Sequence, residues 1–228
     1  KVIATGLRQP FLGVDPVSGL LTASDQQGHW VPSTPLHVIK PGSYYGFQPV
    51  RLGPKANEGR TINEPPLWIP HFVNQSGARQ VWLRNARMGT LNDSLVHVGY
   101  NQPALFRIYL DAHGQQGAVA PLLTGFPTGL LSGRVNPVDG RLYVGGFNLW
   151  GTTGKKIQGL YRIRPTGKPS SLPSTVRAFK EGVVLRFDHP LGHDHATSMS
   201  RYSVDRWNYQ RTADYGSGHF RPDGSPGQ

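Results

Sequence analysis

No cysteine occurs in the 228 residues. That excludes a disulfide frame, a thiol nucleophile and covalent attachment of a c-type haem within this chain. Charge is sparse as well: Asp, Glu, Lys and Arg together make up 16% of the residues, and the acids are the scarcer sign, 13 against 24 Lys+Arg. No run approaches the roughly 20 consecutive apolar residues that a membrane-spanning helix needs. Neither an initiator Met nor a signal peptide stands ahead of Lys1. The expectation is a processed or excised piece of an exported, periplasmic or extracellular protein. The net charge of +11 points to anionic partners such as an acidic glycan or a phosphate-bearing surface. The basic residues are dispersed, however, without a Lys/Arg block or a nucleic-acid motif. A nucleic-acid role is therefore disfavoured against a simply basic surface.

What the chain has in abundance is glycine and proline, 29 and 20 residues, with 37% hydrophobic residues to form a core. That balance suits many short strands joined by many turns and predicts an all-β protein. The organising stretch is residues 6–47. Phe11-Leu-Gly-Val14 and Leu20-Leu-Thr-Ala23 read as strands, with Asp15-Pro-Val-Ser-Gly19 between them as a turn. Ser24-Asp-Gln-Gln-Gly-His29 follows, a polar loop at a strand end, where a rigid scaffold presents its site. The unit recurs: Arg134-Val-Asn-Pro-Val-Asp-Gly-Arg-Leu142 repeats Gly13-Val-Asp-Pro-Val-Ser-Gly-Leu-Leu21 almost position for position. Residues 72–82 read as a degenerate third copy between them. Repeats about 60 residues apart predict four-stranded blades of a β-propeller.

Taken in order, residues 1–165 are expected to be about three propeller blades, 166–174 a linker, and 175–228 a truncated immunoglobulin- or fibronectin-like module ending in a flexible tail. Strands are expected at 175–179, 182–187 and 200–204. Residues 48–70, which include Gly53-Pro-Lys-Ala-Asn-Glu-Gly59, read as a long linker or insertion. About three blades cannot close a ring of four to eight. The expectation is that blades are missing from this sequence or that chains associate to complete a ring. Glycine-rich 145–154 reads as a blade loop, since it lacks the strand–loop–helix setting of a phosphate cradle.

Gly6-Leu-Arg-Gln-Pro10 and Ser24-Asp-Gln-Gln-Gly28 resemble the soluble quinoprotein glucose/sorbosone dehydrogenase propellers. Gly28-His-Trp-Val-Pro-Ser33, Lys40-Pro-Gly-Ser-Tyr-Tyr-Gly46, Glu64-Pro-Pro-Leu-Trp-Ile-Pro70, Arg206-Trp-Asn-Tyr209 and Tyr215-Gly-Ser217 resemble exported propellers of planctomycete and verrucomicrobial type, often fused to a haem-binding domain. The resemblance implies a β-propeller that oxidises a sugar or alcohol, with pyrroloquinoline quinone and Ca²⁺ as cofactors and a haem domain as electron acceptor. It further implies that Arg8, Gln9 and Gln27 contact the quinone and that the Gly28 carbonyl helps hold the calcium. In that family asparagine and proline stand where this chain has Gln9 and His29.

Read as residues alone, Arg8 is an anion clamp or an arginine that holds neighbouring loop carbonyls. Gln27, Gly28 and His29 offer oxygens to a hard cation and a general base at His29, or form a well-satisfied loop. His189, His193, Asp194 and His195 carry metal-ligand chemistry, although adjacent strand residues would point apart. Glu64 and Asp111 are candidates for an acid–base pair. Trp207 and Tyr209 read as packing residues. Three functions remain open at this point: a quinone-dependent sugar or alcohol dehydrogenase, a non-catalytic propeller that binds an acidic glycan or protein, and a Ca²⁺-dependent hydrolase or lactonase.

Overall fold

The computed structural model describes every residue except Pro54 and Ala56, so part of the expected insertion at 53–59 lies outside the described residues. The duplicated turn sets the architecture. Asp15 receives the Val17 N–H on its carboxylate at 3.1 Å, and its own carbonyl accepts the Gly19 N–H at 2.8 Å. Asn136 repeats both bonds, with the Val138 N–H at 2.9 Å and the Gly140 N–H at 2.8 Å. Gly19 and Gly140 sit at φ 73° and 67°, where any side chain would strain the backbone. These turns join β1 (Phe11–Val14) to β2 (Leu21–Ser24) and β9 (Ser132–Val135) to β10 (Leu142–Phe147).

Around them stand three antiparallel sheets in series. The first orders β1, β2, β3 (Thr34–Val38) and β4 (Leu67–Ile69). The second orders β5 (Gly77–Trp82), β6 (Leu95–Gly99), β7 (Ala104–Leu110) and β8 (Gly117–Thr124). The third has β9, β10 and β11 (Gln158–Ile163). Each sheet follows chain order, and β5 packs beside both β1 and β9. This is the blade arrangement of a partial β-propeller. The third copy of the turn lies at 83–94, between β5 and β6, and not at 72–82: a longer loop with a 3₁₀ turn at Gly89–Leu91 replaced it.

The second sheet is covered on both faces, which is why Leu95-Val-His-Val-Gly99 is buried throughout. Leu95 and Ile108 meet Leu36, Leu67 and Ile69 of the first sheet. Val96, Val98 and Leu105 meet Leu130, Leu142 and Val144 at the third. Each such aliphatic side chain contributes about 1.5–3 kcal/mol by leaving water. The inner part of the first interface is polar instead: Thr22 Oγ1 meets Gln80 Oε1 at 3.3 Å, Ser24 Oγ donates to the Ala78 carbonyl at 3.2 Å, and Gln26 Nε2 donates to the Gly77 carbonyl at 2.6 Å.

Beyond residue 174 a single hairpin forms, β12 (Thr175–Phe179) with β13 (Gly182–Arg186). The strand expected at 200–204 is absent: Met199–Arg201 is a 3₁₀ turn, preceded by a five-residue helix, α1 (His193–Thr197). Asn208 and Phe220 exchange backbone hydrogen bonds of 2.6 and 3.0 Å, and Gly227 N–H reaches the His219 carbonyl at 2.9 Å. The tail is thus hydrogen-bonded where the sequence suggests a loose end. Residues 211–217, just ahead of it, dock on the first blade.

Candidate functional site

The loop after β2 and the loop before β1 meet because of one buried acid. Asp25 is 1% exposed. It accepts the backbone N–H groups of Arg8 and Gln9 at 2.6 Å each, and that of Gln26 at 2.8 Å. Burial pushes its carboxyl above the usual carboxylate range, and the three N–H groups pull the other way without cancelling it. Gly6, at φ 76° and packed against the Tyr44 ring, turns the chain into this loop, and Phe47 N–H closes it on the Gly6 carbonyl at 2.9 Å. Arg8 and Gln9 are therefore placed by their backbones, and their side chains are left at the surface.

The C-terminal segment completes the site. The Arg8 guanidinium donates through Nη1 to the Gln27 carbonyl and to the Tyr215 hydroxyl, the latter at 2.7 Å, and lies over the Tyr215 ring. Gly216 N–H donates to the Gly28 carbonyl at 3.1 Å, and Trp30 N–H to the Thr212 carbonyl at 2.8 Å. Gly216, at φ 81°, passes so close to the Gln27 amide that a Cβ has no room. Arg211 locks the segment down: it forms a two-point ion pair with Glu64 at 2.8 and 2.9 Å and donates to the Trp30 carbonyl at 2.5 Å. His29 Nδ1 lies 2.7 Å from the Ala213 carbonyl. That carbonyl only accepts, so Nδ1 carries the proton and Nε2 holds the lone pair.

Arg8, Gln9, Gln27, Gly28 and His29 thus share one surface at one end of the first blade. The other candidates fall elsewhere. Glu64 pairs with Arg211 and not with Asp111, whose carboxylate accepts the Gln115 and Gln116 N–H groups of the β7–β8 turn. His193 and Asp194 are 3.5 Å apart on an exposed helix. Among the described residues no group of three His, Asp or Glu side chains stands together as a metal would require. Trp207 stacks on His219 with centroids 4.6 Å apart, beside Tyr209 and Phe72, which is the packing role the sequence suggests.

Asp25, Arg211 and Tyr215 also belong to this surface, and none of them stands out as a site residue in the sequence. Asp25 carried a signal: an acid at a strand end, within a loop rich in amides and glycine. Arg211 and Tyr215 carried only that of a Gly-flanked aromatic in a segment nearly the whole chain away, and pairing at that distance leaves no local pattern.

No protein-family model and no curated protein matches the chain. Solved structures do. The chain is similar to a glucose dehydrogenase at 21% identity and a TM-score of 0.56, over 72% of this chain and 46% of that one. It is similar to a putative oxidoreductase (glucose dehydrogenase) from Thermus thermophilus at 25% identity and a TM-score of 0.50, over 71% and 46%. The soluble aldose sugar dehydrogenase of Escherichia coli, in its apo-form, gives 15% identity and 0.52, over 72% and 47%. The chain therefore has a sugar dehydrogenase-like propeller fold and spans about half the length of these neighbours.

Two cofactors follow from the resemblance, and the surface receives them differently. Among the described residues Arg8 uses only Nη1, which leaves the Nε and Nη2 edge for a carboxylate, and the Gln9 and Gln27 side-chain amides make no hydrogen bond. These groups fit an anionic quinone. Calcium fits poorly: the Gly28 carbonyl already accepts from Val31 at 3.0 Å and from Gly216 at 3.1 Å, and the buried Asp25 already accepts three backbone N–H groups.

Asp25→Asn should release this loop, because an amide nitrogen would then face an N–H group. The expected cost is about 2 kcal/mol. Hydrogen exchange at the Arg8, Gln9 and Gln26 amides is expected to rise about tenfold or more, while exchange in β6 stays unchanged.

Proposed function

We propose that this chain belongs to a propeller oxidoreductase that oxidises a sugar or alcohol at the Arg8–His29 surface with a quinone. The observation that carries the reading is the convergence of an arginine edge, two amides without a hydrogen bond among the described residues and a histidine of fixed tautomer at one end of a sugar dehydrogenase-like blade. Arg8, Gln9 and Gln27 hold the quinone, Arg8 by a charge-assisted fork and the amides by donating to its oxygens. When bound, the quinone supplies a two-electron acceptor for the hydride that leaves the substrate carbon. His29 Nε2 takes the hydroxyl proton of the same substrate, and the Ala213 carbonyl steadies the imidazolium that results. Tyr215, edge-on to the His29 ring with centroids 5.7 Å apart, fixes the ring plane. The similarity to glucose dehydrogenase structures supports a sugar as substrate.

The test is reduction of an artificial electron acceptor by quinone-loaded protein across a panel of aldoses and primary alcohols. His29→Gln is expected to lower kcat by about 10²–10⁴ while quinone still binds. Turnover unchanged in His29→Gln would remove the histidine from the chemistry. Turnover of ester or lactone substrates without an acceptor would replace the reading with a hydrolase.

A further inference from the structure

The third blade has two unlike faces. Gly133, Val135, Leu142, Val144, Tyr161 and Ile163 turn toward the second blade and its apolar core. The register then fixes the opposite face. Tyr143 pairs with Arg134 on β9 and with Arg162 on β11, so those three side chains form one row across the sheet. Arg164 stands one pleat beyond Arg162 and the exposed Leu160 one pleat before it, whereas Arg141 reaches back to the Arg87 carbonyl of the second blade. Arg134, Arg162 and Arg164 are exposed and Tyr143 is half-buried. Among the described residues, Arg134 and Arg164 make no hydrogen bond or ion pair. The acid of this face, Asp139, accepts the Tyr143 hydroxyl at 2.9 Å and sits in the field of Arg162 and Arg141. Among the described residues this face thus carries three arginines, Arg134, Arg162 and Arg164, against Asp139.

A blade face built for another blade is more uniformly apolar than this one. Both faces of the second blade are lined with aliphatic residues. Burying uncompensated guanidinium groups against such a sheet costs several kcal/mol per charge. Guanidinium forks on the two strands that flank β10, about 9.6 Å apart at two strand spacings, instead match carboxylates or sulfates carried at intervals along a chain. Tyr143, in the middle of the row, offers a flat amphipathic ring to an apolar sugar face.

We infer that this face is a binding surface for an acidic polysaccharide, with Arg134 and Arg162 as the two principal carboxylate or sulfate contacts, flanking Tyr143. It lies on a different blade from the Arg8–His29 surface and stands or falls without it. A polyanionic glycan held here would keep the chain on a carbohydrate matrix, and its charge explains the excess of arginine that the apolar side of the same sheet does not need.

The test is binding of polygalacturonate oligomers, with neutral galactan oligomers and duplex DNA of equal total charge as parallel probes, at two salt concentrations. The wild-type chain is expected to bind polygalacturonate, weakening with salt, and to leave neutral galactan unbound. R134S/R162S is expected to bind polygalacturonate at least tenfold more weakly. The control R177S/R186S removes the same net charge from the β12–β13 hairpin and is expected to bind within about twofold of wild type, as is Arg8→Ala. All four positions of the double variants are exposed, and thermal melting verifies that each variant is folded. Equal loss in both double variants would reduce the effect to net charge and overturn the proposal. Equal binding of neutral and acidic oligomers, or tighter binding of DNA than of polygalacturonate, would overturn it too.

Discussion

Lowering the pH from 7 to 5 is expected to cost the folded chain about 2 kcal/mol at each of two histidines. His37 on β3 is 2% exposed and His97 on β6 is fully buried. Among the described residues, His37 Nδ1 and both nitrogens of His97 have no hydrogen-bond partner. Burial depresses both rings to about 3, with the Arg211 charge adding to the effect at His37. A base whose folded value lies below its unfolded value near 6.5 is neutral in the fold and protonated in the unfolded chain. Stability is therefore full above that unfolded value and is lost steadily as pH falls below it. Asp25 works in the opposite sense, because burial raises its carboxyl and protonation then favours the fold. Single variants separate the contributions. His97→Leu is expected to remove about 2 kcal/mol of the pH 7-to-5 difference, read from urea unfolding at both pH values. An unchanged difference would mean that the His97 ring is solvated.

The second large effect is at the joint between the first two blades. Arg84, just after β5, grips Asp15 in the β1–β2 turn with two bonds of 3.0 and 2.9 Å, and reaches Asp93 at 3.1 Å. Asp15 is 1% exposed. The Arg84 guanidinium holds its carboxyl well below the usual carboxylate range, with the Val17 N–H and the Ser18 hydroxyl assisting. Asp15→Ala leaves Arg84 without its main partner and unties the turn, at an expected cost of about 3 kcal/mol. That corresponds to a fall in Tm of about 6–12 °C. The repeat supplies its own control. Asn136 makes the same turn in the third blade without an arginine, so Asn136→Ala is expected to cost about 1 kcal/mol. The sign for acid is fixed by the depressed carboxyl: the Asp15 contribution is complete above about pH 4 and is lost as pH falls further. Between pH 7 and 5 the histidine contribution alone is therefore lost, and the two effects run together only below about pH 4.

Those two sites mark the limit of what a sequence can show. The turn itself was legible, because Asp15-Pro-Val-Ser-Gly19 and Asn136-Pro-Val-Asp-Gly140 carry the acceptor, the proline and the positive-φ glycine at fixed offsets. The blade order followed from that repeat. The middle blade hid its copy of the turn, since a loop of different length with a 3₁₀ turn solves the same connection without those residues. His97 read only as one polar residue in an apolar strand, and its burial depends on sheets on both sides. At the candidate site, Arg8, Gln9, Gln27, Gly28 and His29 are local to two loops and could be grouped. Asp25 joins those loops through backbone N–H groups, which nearly every residue has and no sequence displays. The segment 211–217 reaches them across the whole chain. The same segment supplies the Gly216 N–H that occupies the Gly28 carbonyl, so the calcium implied by the resemblance loses its ligand through a residue that no local motif contains.

The most direct measurement is a calorimetric titration of the chain with pyrroloquinoline quinone, run in chelator and again with Ca²⁺ added. Saturable binding of equal affinity in both, weakened at least tenfold in Arg8→Ala, is the expected result. Binding that requires Ca²⁺ would show that the Gly28 carbonyl is freed in solution. No binding, or binding that Arg8→Ala leaves untouched, would contradict a quinone site at Arg8–His29.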